Sequence, residues 1–203
     1  ADLAAGGQGA PLATMFHVRA FGERGHHVCV HNLGGISNVT SIDWRRGAKP
    51  KLLAFDTGPA NVLIDLAMRE ISGGRLQFDR DGRLAARGLV DDALVNEWLR
   101  HPYFQAKPPK STGRELFGEP FFRPVFREMR RRRMSDAAIA ATFTALTARS
   151  LALNYQLHLP APPEKVVLAG GGALNATLRS AIEKEWKKLN LESVVQSSED
   201  LGW

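Results

Sequence analysis

With 203 residues, 44% of them hydrophobic, the chain is long enough to bury a core of its own, as one large domain or two small ones. One cysteine, Cys29, excludes a disulfide framework within the chain; no apolar run approaches the roughly 18 residues of a membrane span, and the first residues lack the zones of a signal peptide, so a soluble protein of a reducing cytoplasm is expected. The net charge of +6 suits an anionic ligand, whether nucleotide, acidic sugar or nucleic acid, without choosing among them.

Residues 1–11 read as a loop of small residues, and Pro11 fits the first turn of a short helix through Met15, Phe16 and Val18. Residues 26–43 read as a β-hairpin: Val28, Val30 and Leu33 approach a tip of Asn32-Leu33-Gly34-Gly35, and Ile36, Val39 and Ile42 leave it. A third apolar run, Leu52 to Phe55, ends in Asp56-Thr57-Gly58-Pro59. From Ala60 to Ile71 the spacing of Val62, Leu63 and Leu66 predicts an amphipathic helix, stopped by Gly73-Gly74. Residues 75–134, broken by Pro102, Pro108, Pro109, Pro120 and Pro124, predict an irregular insertion carrying helical turns such as Asp91 to Leu99.

Ser135 then reads as an N-cap, with Asp136 at the favourable end of a long helix to about His158 whose buried face carries Ile139, Phe143, Leu146, Leu153 and Leu157. Pro160, Pro162 and Pro163 end it. A short buried strand, Lys165 to Ala169, leads through Gly170-Gly171-Gly172 to a helix from Leu174 and a last strand from Ser193 to Gln196. Three antiparallel strands extended by two more joined through helices describe an α/β domain of ribonuclease-H-like type with a mixed sheet.

Two glycine clusters carry the strongest chemical signal. At the hairpin, Gly34 and Gly35 let backbone N–H groups converge on an anion while Asn32 and Asn38 add neutral donors, although a tight turn alone would use the same residues. Gly170, Gly171 and Gly172 sit where a strand hands over to a helix, the place where α/β proteins hold nucleotides, with Asn175 in reach; a permissive turn is the plainer alternative. Together they suggest two loops of one domain gripping opposite ends of one nucleotide. Asp56-Thr57-Gly58 matches half of an aspartic-protease dyad, but one triplet would need a second copy, and a strand-end turn or a carboxylate facing phosphate and magnesium is preferred. Lys110, Ser111 and Thr112 could meet ligand or form a plain polar loop. His27, Cys29 and His31 alternate along one strand, with neighbours roughly 6.5 to 7 Å apart, too far to share a metal bound at about 2 Å. The run Arg130 to Arg133 has no interleaved aromatics, so a solvated surface is preferred to nucleic-acid binding.

Five motifs in succession resemble those of the anhydro-N-acetylmuramic acid kinases, which belong to the actin and sugar-kinase superfamily. They are residues 6–12 (GGQGAPL), 32–40 (NLGGISNVT), 55–65 (FDTGPANVLID), 110–115 (KSTGRE) and 169–175 (AGGGALN). The resemblance implies two ribonuclease-H-like domains clamping ATP and Mg2+, with residues 32–38 as the second phosphate loop and 169–175 as the adenosine loop. Asn32, Gly34, Gly35, Asn38, Asp56, Gly170, Gly171, Gly172 and Asn175 would then face the nucleotide, Asp56 through Mg2+, and Gln8, Gly9, Lys110, Ser111 and Thr112 the sugar side. The implied reaction converts 1,6-anhydro-N-acetylmuramic acid, ATP and water into N-acetylmuramic acid 6-phosphate in cytoplasmic peptidoglycan recycling, with a homodimer as the full-length enzyme.

By the same resemblance, the first phosphate loop and the water-activating aspartate lie upstream of Ala1, Asp2 being too near the glycines to take that role. The expectation is therefore an interdomain segment and helix at 1–25 and a C-terminal domain at 26–203, inactive alone. The alternative is a non-catalytic nucleotide-binding or interaction domain of the same fold.

Overall fold

The computed structural model describes residues 11–202. Among them five strands form one mixed sheet in the order β3-β2-β1-β4-β5. The hairpin strands β1 (His27–Leu33) and β2 (Ile36–Asp43) pair antiparallel from His27↔Asp43 to Leu33↔Ser37, so the turn is tighter than the four residues expected, with Gly34 and Gly35 alone between the strands. Strand β3 (Lys51–Pro59) runs antiparallel beside β2, and an irregularity between Ser37 and Asn38 sets Ser37 opposite Gly58 and Asn38 opposite Asp56. On the other side of β1, β4 (Lys165–Ala169) and then β5 (Val194–Ser197) lie parallel to it. This is the ribonuclease-H-like sheet expected from the element order.

Strand β1 is central, and both of its faces are covered. Val28 and Val30 meet Ile42, Val167 and Phe21, the last from α1 (Pro11–Phe21). Cys29 and Leu33 point the other way, to Val39, Phe55, Val166 and Leu168 beneath α7 (Asp136–His158) and α8 (Ala176–Lys188). Helix α2 (Asn61–Ser72) follows β3 and stops at Gly73, whose φ of 62° is the left-handed conformation a glycine adopts at a helix end. Helix α7 starts as expected, the Ser135 hydroxyl accepting from the Ala138 N–H at 3.2 Å. It is buried on more than its apolar face: Thr147 donates to the Ala60 carbonyl at 3.0 Å and Asn154 to that of Thr57 at 3.0 Å, which fixes the end of β3 from below. Leu157, expected on the buried face, is 45% exposed, because the last turns of the helix face the sheet through Tyr155 and His158 instead, His158 lying 5.7 Å from Phe55 between ring centroids.

The insertion is more ordered than its prolines suggest. It carries α3 (Asp92–Trp98), α4 (Pro102–Gln105), α5 (Arg114–Phe117) and α6 (Glu119–Arg131). Helix α6 continues through Pro124, which removes one N–H, because burial of Phe122 and Met129 holds it down. Trp98, Phe104, Phe117, Phe122 and Phe143 join α2 residues in a second apolar core, with Trp98 stacked on Phe143 at 5.5 Å between ring centroids. Three of the four arginines at 130–133 are paired locally: Arg130 with Asp136 at 2.7 Å, and Arg131 and Arg132 both with Glu128.

Candidate nucleotide site

Strands β1 and β4 are parallel neighbours, with Asn32 opposite Ala169, so both glycine clusters emerge side by side at the same edge of the sheet. The approach is close enough to require glycine. A Cβ on Gly170, whose φ is 80°, would lie 2.4 Å from the Asn32 Oδ1, and one on Gly172 would lie 2.7 Å from the Leu33 Cβ. Gly171 is different: a Cβ there would meet nothing within 4 Å.

The orientation of the hairpin tip follows from α2. The Gly34 carbonyl accepts from the Asn61 N–H at 3.0 Å, and the Gly35 carbonyl accepts from Ala60 and Val62 at 3.0 and 3.1 Å. Both tip carbonyls and the first N–H groups of α2 are thereby satisfied by one another. The N–H groups of Gly34, Gly35, Gly171 and Gly172 donate to no other described residue, which leaves two pairs of backbone donors at one edge of the sheet.

Two depressions open beside these donors. The smaller, of about 390 Å³, is bounded by Gly171, Leu174 and Asn175 on one side and by Asn61, Asp65 and Phe78 on the other. The larger, of about 710 Å³, is bounded by Gly35, Asp65, Arg69, Phe78 and Arg114, among others. The Arg114 guanidinium lies 3.9 Å from where a Cβ on Gly35 would be. A cation therefore stands over the hairpin tip.

Asn175 lies at this edge in a different role from the one expected. The helix predicted from Leu174 begins at Ala176, after a 3-10 turn at Gly171–Leu174, and Asn175 is its N-cap, with Oδ1 accepting from the Leu178 N–H at 2.9 Å. Its side chain is oriented by the helix and still borders the smaller depression.

Asp56 stands opposite Asn38 across β2 and β3, with its Oδ2 accepting from the Thr112 N–H at 2.9 Å. Burial pushes its carboxyl above the ordinary value, the Thr112 N–H pulls it back, and nearby Glu115 adds to the rise. Thus the segment at 110–115 does reach β3, by its backbone. Lys110 turns inward instead, donating to the carbonyls of Tyr103 at 3.1 Å and Phe104 at 3.4 Å, and burial lowers its pKa to about 8. Ser111 is exposed, and the Thr112 hydroxyl oxygen is buried without a partner among the described residues. Gln8 and Gly9 lie outside the described residues.

Sequence reasoning singled out neither Asn61, Asp65 nor Arg114, although each falls inside a quoted motif. Phe78 lies in the insertion, where no local pattern marked it. His27, Cys29 and His31 form no open site: His31 is fully buried, with Nε2 2.5 Å from the Ser37 hydroxyl and Nδ1 3.2 Å from the Tyr155 hydroxyl, and burial drives its pKa down to about 3. His27 bonds to the Ser41 hydroxyl at 2.7 Å.

Comparison with known proteins places the fold and the family. Two solved structures share the fold at a TM-score of 0.50. One is the activator of the 2-hydroxyisocaproyl-CoA dehydratase from Clostridium difficile with bound ADPNP, 15% identical and covering 90% of this chain and 57% of that one. The other is component A of the (R)-2-hydroxyglutaryl-CoA dehydratase of Acidaminococcus fermentans, 16% identical and covering 90% and 59%. Anhydro-N-acetylmuramic acid kinases from Synechocystis and Acaryochloris marina are 41% and 42% identical over the whole of this chain, which covers 52% and 53% of their lengths. The chain spans about half the length of the curated relatives it matches. A family model described as anhydro-N-acetylmuramic acid kinase matches residues 1–203, and the chain belongs to that family.

Proposed function

We propose that this chain supplies the nucleotide-holding half of an ATP-dependent kinase that converts 1,6-anhydro-N-acetylmuramic acid and water into N-acetylmuramic acid 6-phosphate. The observation that carries the reading is the pairing of two glycine turns with unpaired N–H groups at one sheet edge, Gly34-Gly35 and Gly171-Gly172. In this reading the base and ribose lie against Gly171, the phosphates lie on the hairpin tip, and Arg114 offsets their charge.

The reaction needs one bond broken at the sugar and one at the nucleotide. Water attacks the anomeric carbon, the bond from that carbon to the bridging O6 breaks, O6 takes the γ-phosphoryl group, and ADP leaves. The water proton needs an acceptor. Besides the aspartate expected upstream of Ala1, Asp56 offers a suitable setting: it is half-buried, its pKa is raised, and one oxygen is fixed by Thr112. Mg2+ would be held chiefly by nucleotide phosphates and water, as that ion commonly is in kinases. When bound, that ion neutralises charge on the transferring phosphoryl group. As the resemblance implies, the complete enzyme acts in the cytoplasm, as a homodimer, in peptidoglycan recycling.

Calorimetric titration with magnesium-ADP tests the reading. Binding by the wild-type chain that disappears in Gly171→Val, where a branched side chain would fill the open space beside the turn, supports it. If the wild-type chain binds no nucleotide, the reading fails. For the proton, Asp56→Asn in the full-length enzyme should lower kcat by at least about 100-fold, the usual scale of general-base loss.

A further inference from the structure

The two depressions meet at Asp65, which borders both. It lies one turn into α2 from Asn61, on the side of the helix away from the core formed by Val62, Leu63 and Leu66. A nucleotide with its base at Gly171 and its phosphates at Gly34 and Gly35 has its ribose between those ends, beside Asp65. What can satisfy a carboxylate there is restricted. An ionised carboxylate only accepts hydrogen bonds, so it repels phosphate oxygens and is matched by hydroxyl donors, of which a ribose presents an adjacent pair.

Apart from Arg80, an exposed cation that donates hydrogen bonds and accepts none, the other polar side chains around the smaller depression are already engaged. Both oxygens of Asp79 accept backbone N–H groups, from Leu84 and Ala85, each at 2.9 Å. Asp81 pairs with Arg83 at 3.1 Å, Asn175 caps α8 through Oδ1, and Asn61 donates to the Leu33 carbonyl. Among the described residues none donates a hydrogen bond to Asp65; burial raises its pKa to about 6, with Arg69 and Arg114 opposing the rise, so at neutral pH it is chiefly ionised. Its two oxygens are therefore without a donor among the described residues, at the border of both depressions.

We infer that Asp65 is the ribose-recognising residue of this site, accepting hydrogen bonds from the 2′ and 3′ hydroxyls and so selecting ribonucleotides. The inference rests on the nucleotide-binding reading above. Calorimetry on the chain with magnesium-ADP and magnesium-2′,3′-dideoxy-ADP tests it, in wild type, Asp65→Ala and the isosteric Asp65→Asn. The wild type should prefer ADP at least tenfold. In Asp65→Ala the preference should shrink to twofold or less through weaker ADP binding, with dideoxy-ADP affinity held within twofold. Asp65→Asn, which keeps the shape of the side chain and one acceptor, should lose at least threefold for ADP.

A wild-type chain that binds both nucleotides equally, or an Asp65→Ala chain that still prefers ADP tenfold, overturns the role of Asp65 and leaves nucleotide binding standing. If neither nucleotide binds the wild type, the underlying reading falls and the role of Asp65 with it.

Discussion

Asn61 donates from Nδ2 to the Leu33 carbonyl at 2.9 Å, so the first residue of α2 holds the last residue of β1. The same side chain lies 3.0 Å from where a Cβ on Gly172 would stand, which places it at the meeting point of hairpin, helix and glycine turn. Replacing it with leucine keeps the bulk and removes the donor, leaving a buried-edge carbonyl unpaired. Asn61→Leu should cost about 1–2 kcal/mol in urea denaturation and weaken magnesium-ADP binding, since the tip loses its anchor. A variant as stable as the wild type, with unchanged affinity, would show that the backbone bonds from Ala60, Asn61 and Val62 hold the tip unaided.

The three glycines after β4 are not equivalent. Gly172→Ala drives a Cβ against the buried Leu33 side chain, and overpacking of that kind costs roughly 1–3 kcal/mol. Gly171→Ala enters open space at a negative φ, so its stability should stay within about 0.5 kcal/mol of the wild type. Thermal denaturation of the two variants side by side checks the contrast; equal destabilisation would show that the turn adjusts as a unit.

Legibility in the sequence followed the range of the interactions. Strand alternation at Val28 and Val30, the serine cap at Ser135 and the stop at Gly73 are decided within a few residues, and each was readable. The sequence suggests Asn175 as a ligand contact, and cap chemistry, which is equally local, accounts for its orientation. The order within the insertion was not readable, because α6 is held by burial of Phe122 and Met129 against a core shared with α2 and α7. Asp65 was hidden for a related reason. Its position in a helical pattern is that of an ordinary exposed carboxylate, and only the packing of Phe78 and Arg114 around it makes a site.

Lys110 illustrates a charged side chain turned to structure. Its ammonium group donates to the carbonyls of Tyr103 and Phe104 in α4 and lies 4.8 Å from the centroid of the Tyr103 ring. Its own carbonyl accepts from the Asp56 N–H at 3.1 Å. Lys110→Met keeps the length of the side chain and removes those donors, so the midpoint of thermal unfolding should fall, with a loss of about 1–3 kcal/mol. Magnesium-ADP affinity should change far less than the stability does. A variant with wild-type unfolding and an affinity lower by tenfold or more would instead place the ammonium group on the ligand.

Asp65 should also leave a signature in stability. Burial raises its folded pKa to about 6 from an ordinary 3.8, with Arg69 and Arg114 opposing the rise. Between those two values the native chain therefore holds more proton than the unfolded chain. The stabilising contribution of the protonated carboxyl is complete below about pH 4 and is lost as pH rises through 6. Asp65→Asn mimics the protonated form at every pH. At pH 8 it should be more stable than the wild type by on the order of 1 kcal/mol after allowance for solvent screening, and at pH 4 the two should coincide. Urea denaturation at both pH values, without nucleotide, measures the difference. A constant offset between pH 4 and 8 would mean that the carboxyl titrates alike in the folded and unfolded chains, and that the depression around it is wetter than its walls of Phe78, Val62 and Leu66 imply.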